Sequence, residues 1–278
     1  MSWKYIEIPN GETPLFCNAY VTSKTAMNII VTHTPIVTTL EIQKAYRPFE
    51  NYPVNVFAFD FSGTGKSGGS KKEFSRESIV KDLDSVITYI ETHFSSNIHL
   101  YGNTGIGGIF AQYYVTTSSK IKSFAQFSCA LYQDTARGMG GTPCLIAKVL
   151  SFLLRYLPNV KITLPPPKYQ GYRHEEDNAY YEKLTEKYPD IWKTDSRLLL
   201  ALTECFVATD SVIKTSVTVP TLVFKVLHDR YFSTQYFDDY YQSLTCPKKL
   251  VEINGIHNSY YIDSELFCKH VYHWFLKQ

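Results

Sequence analysis

The chain opens with short runs of β-type spacing and settles into an alternation of β and helical periods. Residues 4–8 alternate apolar and polar side chains, 15–21 follow an Asn-Gly turn, and 28–32 form a short β-branched run. Residues 54–59 repeat that pattern and are closed by Asp60 and a Gly/Ser-rich loop. Apolar positions then recur at helical spacing (Ile79, Leu83, Val86, Ile87, Ile90), with Ser75 placed to cap the helix N-terminus. A strand over 98–101 leads through a glycine-rich turn to a helix over 109–115 and a strand over 124–128. This alternation predicts an α/β fold, a mostly parallel sheet covered by helices.

The rhythm stops over 130–215. That stretch holds a small-residue loop at 138–142, an apolar helix over 144–157, a Pro165-Pro166-Pro167 stop, a polar tyrosine-rich segment and an apolar helix over 198–207. No strand pattern is visible in it. It reads as a helical cap inserted into a core made of 1–129 and 216–278. The alternation resumes with a strand over 221–226, a helix over 234–244, a strand over 249–253 and an aromatic-rich helix over 262–276.

Composition narrows the function. The 278 residues are 44% hydrophobic and 19% charged, which suits one domain with an insertion and excludes disorder over most of the length. Twenty-eight Lys and Arg against 26 Asp and Glu leave +2, without a basic run, so no nucleic-acid partner is expected. Six scattered cysteines form no C-x-x-C pair, and no metal or cofactor is expected. The start lacks the pattern of a signal peptide, and no apolar run reaches the ~18 residues of a membrane span. A reduced, cytoplasmic protein is therefore expected, with oligomeric state undetermined. The aromatic content of 15% is high, and the rings of 169–181 and 231–241 either line an apolar pocket or pack helices. Residues 173–177 read as a solvated charged turn. Gly63-Thr-Gly-Lys-Ser67 is too short for a phosphate loop.

Three segments with chemistry fall at the carboxyl ends of predicted strands, where open α/β sheets place ligands. They are the turn Leu100-Tyr-Gly-Asn-Thr-Gly-Ile-Gly-Gly108, then His228-Asp229-Arg230, then Gly255-Ile-His257. Together with Asp60-Phe-Ser-Gly-Thr-Gly-Lys-Ser67, a D-x-x-G-x-G-x-S loop, they resemble the α/β-hydrolase-fold superfamily, nearest its monoacylglycerol lipase and lysophospholipase-like members. Tyr156-Leu-Pro-Asn-Val160 and Val217-Thr-Val-Pro-Thr-Leu222 resemble the cap and the strand leading to the acid. The resemblance implies that Asp229 orients His257 and that His257 takes a proton from a nucleophile.

Two departures from that pattern bear on activity. Counting from the strand, Gly102-Asn-Thr104 aligns with G-x-S and puts Thr104 in the nucleophile's place. Counting back from Gly107-Gly108 puts Gly105 there, and the turn is one residue too long to satisfy both. A β-branched residue suits the positive φ of a nucleophile elbow poorly, and glycine suits it well. In the oxyanion loop, His33-Thr34-Pro35 stands where the family has His-Gly-x, and Pro35 has no N–H to donate. Losing such a donor typically slows the reaction by about 10²–10³. Gly105 N–H remains as one candidate donor, and the Thr34 hydroxyl, the Asn103 side chain or Ile36 N–H stands in for the other. The His33-Thr34 pair also resembles plant hydroxynitrile lyases, although Asn258 follows His257 where those enzymes have lysine.

The candidate catalytic set is thus Thr104, Asp229 and His257, acting on a small ester, thioester or lipid-like acyl substrate. Two alternatives stay open: a lyase or cyclase type of enzyme with His257 and Asp229 as general base, or an inactive ligand-binding pseudo-hydrolase.

Overall fold

The computed structural model describes residues 2–157, 160–163, 168–189, 191–210 and 212–278. The chain builds an eight-stranded sheet. β1 (Trp3–Ile8) and β2 (Leu15–Tyr20) pair antiparallel, and β2 runs antiparallel to β4 (Val54–Phe59). From β4 onward all pairs are parallel, through β3 (Met27–Thr32), β5 (Ile98–Gly102), β6 (Ser123–Gln126), β9 (Thr221–His228) and β10 (Lys248–Ile256). The order across the sheet is β1-β2-β4-β3-β5-β6-β9-β10.

Both faces of the sheet are covered, as the unbroken apolar runs of its central strands require. Ile30, Phe57, Phe59 and Leu100 point to one side, where α1 (Arg76–His93) and α2 (Gly105–Thr117) pack Leu83, Ile87 and Phe110 on them. Alternate residues Ile29, Val31 and Tyr101 point to the other side, under Phe267 and Val271 of α9 (Ser264–Phe275). Ser75 caps α1 as its position suggests, in a reciprocal box with Ser78. The last predicted helix is two, since α8 (Ser259–Ile262) ends at Asp263 before α9 begins. α7 (Thr234–Ser243) lies between β9 and β10.

β6 and β9 are neighbours in the sheet, yet the chain leaves between them to form α3 (Thr135–Gly138), α4 (Cys144–Tyr156), β7 (Lys161–Thr163), α5 (His174–Lys187), β8 (Lys193–Asp195) and α6 (Ser196–Val207). This corrects the reading of the stretch in two places. β7 and β8 form an antiparallel ribbon, with Ile162 opposite Thr194, where no strand was expected. Three-residue strands are too short to show a period of two. The tyrosine-rich segment is the helix α5, whose charged and aromatic surface buries only Asp177 completely and so lacks an apolar stripe. The expected Pro165–Pro167 stop lies outside the described residues, as do Pro158 and Asn159.

α2 begins at Gly105, four residues before its apolar spacing does, because much of the glycine-rich turn is helix. It lies unusually close to the sheet. A Cβ on Gly107 would stand 2.6 Å from His33 Cα, and one on Gly108 2.6 Å from the Ser128 carbonyl oxygen. Gly108→Ala should therefore force the helix off β6 and cost about 1–3 kcal/mol. Urea unfolding checks this: the midpoint should fall with an unchanged slope.

Candidate active site

The parallel strands end in register, with Thr32, Gly102 and Gln126 level across β3, β5 and β6. The loops carrying Thr34, Thr104 and Ser128 therefore leave the sheet side by side. At β9 and β10 the register shifts: Ile253 faces Val226, whereas Ile256 faces His228. One extra residue on β10 lies in this bulge and moves the register of its end by one position against β9. The residues that follow the pair, Asp229 and His257, then meet, with His257 Nδ1 2.7 Å from Asp229 Oδ2.

Asp229 is held independently of the histidine. Its Oδ1 accepts the N–H groups of Tyr231 at 2.7 Å and Phe232 at 3.0 Å. In the neutral tautomer that donates from Nδ1 to this carboxylate, His257 Nε2 keeps a lone pair directed away from Asp229. Tyr231 and Phe127 pack edge-on against the ring, at 4.5 Å and 5.4 Å between centroids. The ring therefore has its orientation set on both sides.

The turn after β5 faces that lone pair with Gly105. A Cβ on Gly105 would stand 3.4 Å from His257 Nε2, an ordinary contact. Thr104 is the N-cap of α2, with φ −121° and ψ 174°, and its Oγ1 accepts the Gly107 N–H at 3.2 Å. Neither residue is among those with positive φ, so the strained elbow conformation is not present at either. Asn103 is buried beneath the turn, where its Nδ2 donates to the Ala45 carbonyl at 3.4 Å. Of the other oxyanion candidates, Thr34 and Ile36 border the site, and the Ile36 N–H lies 3.5 Å from the Thr34 hydroxyl it points to.

The Asp60 loop supports this loop from behind. Asp60 accepts the N–H groups of Thr39 at 2.7 Å and Lys66 at 2.9 Å, and His33 Nε2 lies 3.2 Å from Oδ1. Gly65, at φ 53°, lets the backbone fold over the carboxylate, for a Cβ there would overlap it at 2.2 Å. The D-x-x-G-x-G-x-S loop thus acts as a strut for residues 33–39.

Thr104, Gly105 and His257 form the floor of a cavity of about 290 Å³. Tyr180 and Tyr181 of α5, Tyr231, Tyr260, and Leu198 and Phe206 of α6 form its walls. The aromatic excess divides here: Tyr180, Tyr181, Tyr231 and Phe232 face the cavity, whereas Tyr236, Phe237 and Tyr240 are buried against the sheet. Burial holds the phenols of Tyr181 and Tyr260 well above their usual range, so the wall is uncharged. All six cysteines are free thiols, and burial likewise raises that of Cys129 far from reactivity. Among the described residues, no group of His, Cys, Asp or Glu is arranged to hold a metal ion, and no helix is long and apolar enough to cross a membrane.

Sequence reasoning missed Asp177. It is fully buried in the first turn of α5 rather than solvated in a turn. Its Oδ1 accepts Asn258 Nδ2 at 2.7 Å and its Oδ2 pairs with Arg230 Nη2 at 2.6 Å. Desolvation raises its carboxyl above the usual value, against the opposing pull of Arg230, His257 and Asn258. The adjacency of Arg230 to Asp229 and of Asn258 to His257 is the only trace of this contact in the chain.

A family model described as serine aminopeptidase, S33 (Hydrolase_4) matches residues 25–259. A search of curated proteins finds no match. Among solved structures, the chain is similar to a monoacylglycerol lipase from Paleococcus ferrophilus, with 18% identity, a TM-score of 0.75 and 95% of this chain aligned to 98% of that one. It is also similar to the thioesterase domain from the curacin biosynthetic pathway, with 13% identity, a TM-score of 0.69 and 98% and 100% coverage. An esterase from Pyrococcus furiosus gives 16% identity and a TM-score of 0.64, with 99% and 91% coverage. At these identities the likeness establishes the fold.

The buried ion pair makes a prediction with a definite sign. Arg230→Met should cost about 3–5 kcal/mol at neutral pH, because it strands the Asp177 carboxylate. Removing Arg230 also lifts that carboxyl further above the ordinary aspartate value, so the folded state binds a proton more readily than the unfolded chain. The cost is full above the folded-state value and fades as pH falls toward the unfolded one. Urea unfolding at pH 7 and pH 5 should show the deficit against wild type shrinking at the lower pH.

Proposed function

The chain belongs to the serine aminopeptidase S33 family of α/β hydrolases, and from that premise we propose that it is an enzyme using His257 and Asp229 as a general-base pair. Its substrate in this reading is a small, largely uncharged acyl or aromatic compound, and Gly105 stands where the family carries its nucleophile. The observation that carries the reading is the 3.4 Å between a Gly105 Cβ and His257 Nε2. A serine at 105 would bring its hydroxyl within hydrogen-bond reach of the base, whereas Thr104 Oγ1 is engaged with the Gly107 N–H.

With no side chain between base and cavity, His257 Nε2 is open to water or to an acidic proton of the ligand itself. In the hydrolytic form, Nε2 takes a proton from water as its oxygen attacks the acyl carbon, and the imidazolium returns that proton to the leaving group. Asp229 stabilises the imidazolium in between. The first N–H groups of α2 have no partner within the helix, and that of Gly105 is a donor for the developing oxyanion. Residues 130–215 serve as the cap, since α5 and α6 contribute the cavity wall over this floor. The neutral tyrosines suit an uncharged ligand, in keeping with the lipase, thioesterase and esterase chemistry named for the structural neighbours.

The alternative with Thr104 as nucleophile requires Oγ1 to leave the Gly107 N–H and swing toward His257. Replacing Gly105 separates the two. Gly105→Ser should gain fluorophosphonate labelling at position 105 and raise p-nitrophenyl ester turnover by about 10² or more, a gain abolished by adding His257→Ala. Labelling of the wild type that disappears in Thr104→Ala would select the threonine mechanism instead. If Gly105→Ser neither labels nor turns over, the general-base reading fails and ligand binding without catalysis takes its place.

A further inference from the structure

We infer that Asp177 is a positioning residue for the His257–Asp229 pair, and that the pair is fully aligned only when the inserted segment is seated on the sheet. This rests on the reading of that pair as the working base. Asp177 comes from α5, yet each of its oxygens serves the loop of a different partner. Oδ1 holds Asn258, the residue after His257, and Oδ2 holds Arg230, the residue after Asp229. The carboxylate therefore sets the spacing of the two loops from the side opposite the sheet. Register fixes that spacing from below.

The same stretch of chain grips these loops at further points. Tyr169 donates its hydroxyl to the His228 carbonyl at 3.0 Å, and Arg230 Nη2 donates to Asn178 Oδ1 at 2.9 Å. Arg173 Nη1 donates to Asp263 Oδ2 at 2.9 Å, beyond His257 on the other loop. The Arg230 guanidinium lies over the rings of Tyr181 and Tyr169, 4.7 Å and 5.2 Å from their centroids. A fully buried carboxylate is a costly fastener unless its geometry matters. Here α5 also carries Tyr180, Tyr181 and Leu184 of the cavity wall. Lifting the wall and slackening the base are thus one movement, which ties proton transfer to closure over a ligand.

The test is the ring of His257 in full-length protein labelled with ¹³C-histidine, where the Cδ2 shift reports which nitrogen bears the proton and His257→Gln assigns the signal. The wild type should show the Nδ1–H form alone. Asp177→Leu with Arg230→Met removes the ion pair while keeping apolar volume, and should give mixed forms. In the Gly105→Ser background the same pair of changes should lower kcat on p-nitrophenyl acetate at least tenfold, with KM within threefold. Should the double change not fold, Asn258→Ala, which removes the neutral limb alone, carries the same two expectations. A folded variant that keeps the wild-type ring signal and kcat overturns the inference. Absence of turnover in Gly105→Ser itself would sink the proposed function, and the ring signal would still decide the role of Asp177.

Discussion

The pairing of β9 with β10 sets where the two titratable side chains of the site stand. Without the extra residue between Ile253 and Ile256, His257 would leave the sheet one position out of step with Asp229. With it, the ring meets a carboxylate already anchored by the N–H groups of Tyr231 and Phe232. The pair therefore needs nothing from the turn after β5 to hold its geometry.

The turn itself is a helix start. Thr104 takes the extended backbone and the side-chain bond of an N-cap, so its hydroxyl serves α2. Gly105 follows in the first helical turn and presents only hydrogen to His257. Gly107 and Gly108 keep α2 pressed on the ends of β3 and β6, which fixes the distance between Gly105 and the ring. Neither Thr104 nor Gly105 has a positive φ, so the turn carries no backbone strain at either residue.

Two kinds of interaction join the insertion to this floor. Apolar and aromatic side chains of α5 and α6 close the cavity by area alone. Asp177 adds direction, because a carboxylate paired with Arg230 and bonded to Asn258 tolerates little displacement. The first interaction has no preferred direction, and the second ties α5 to the residues that follow Asp229 and His257.

The strand and helix periods of the core and the Ser75 cap were legible in the chain, because each depends on neighbours a few residues apart. The same local rules left Thr104 and Gly105 undecided, since counting from the strand and from the helix gives different answers. Only the approach of β10 shows which of them the histidine faces. They also hid α5, whose surface lacks an apolar stripe, and the ribbon of β7 and β8, which is too short for a period. Asp177 reads as a solvated charge until Arg230 and Asn258, distant in sequence, are folded onto it. Periodicity and spacing are properties of one segment, whereas burial and partnership belong to pairs of segments, so the chain by itself determined the scaffold and tertiary contact decided the site.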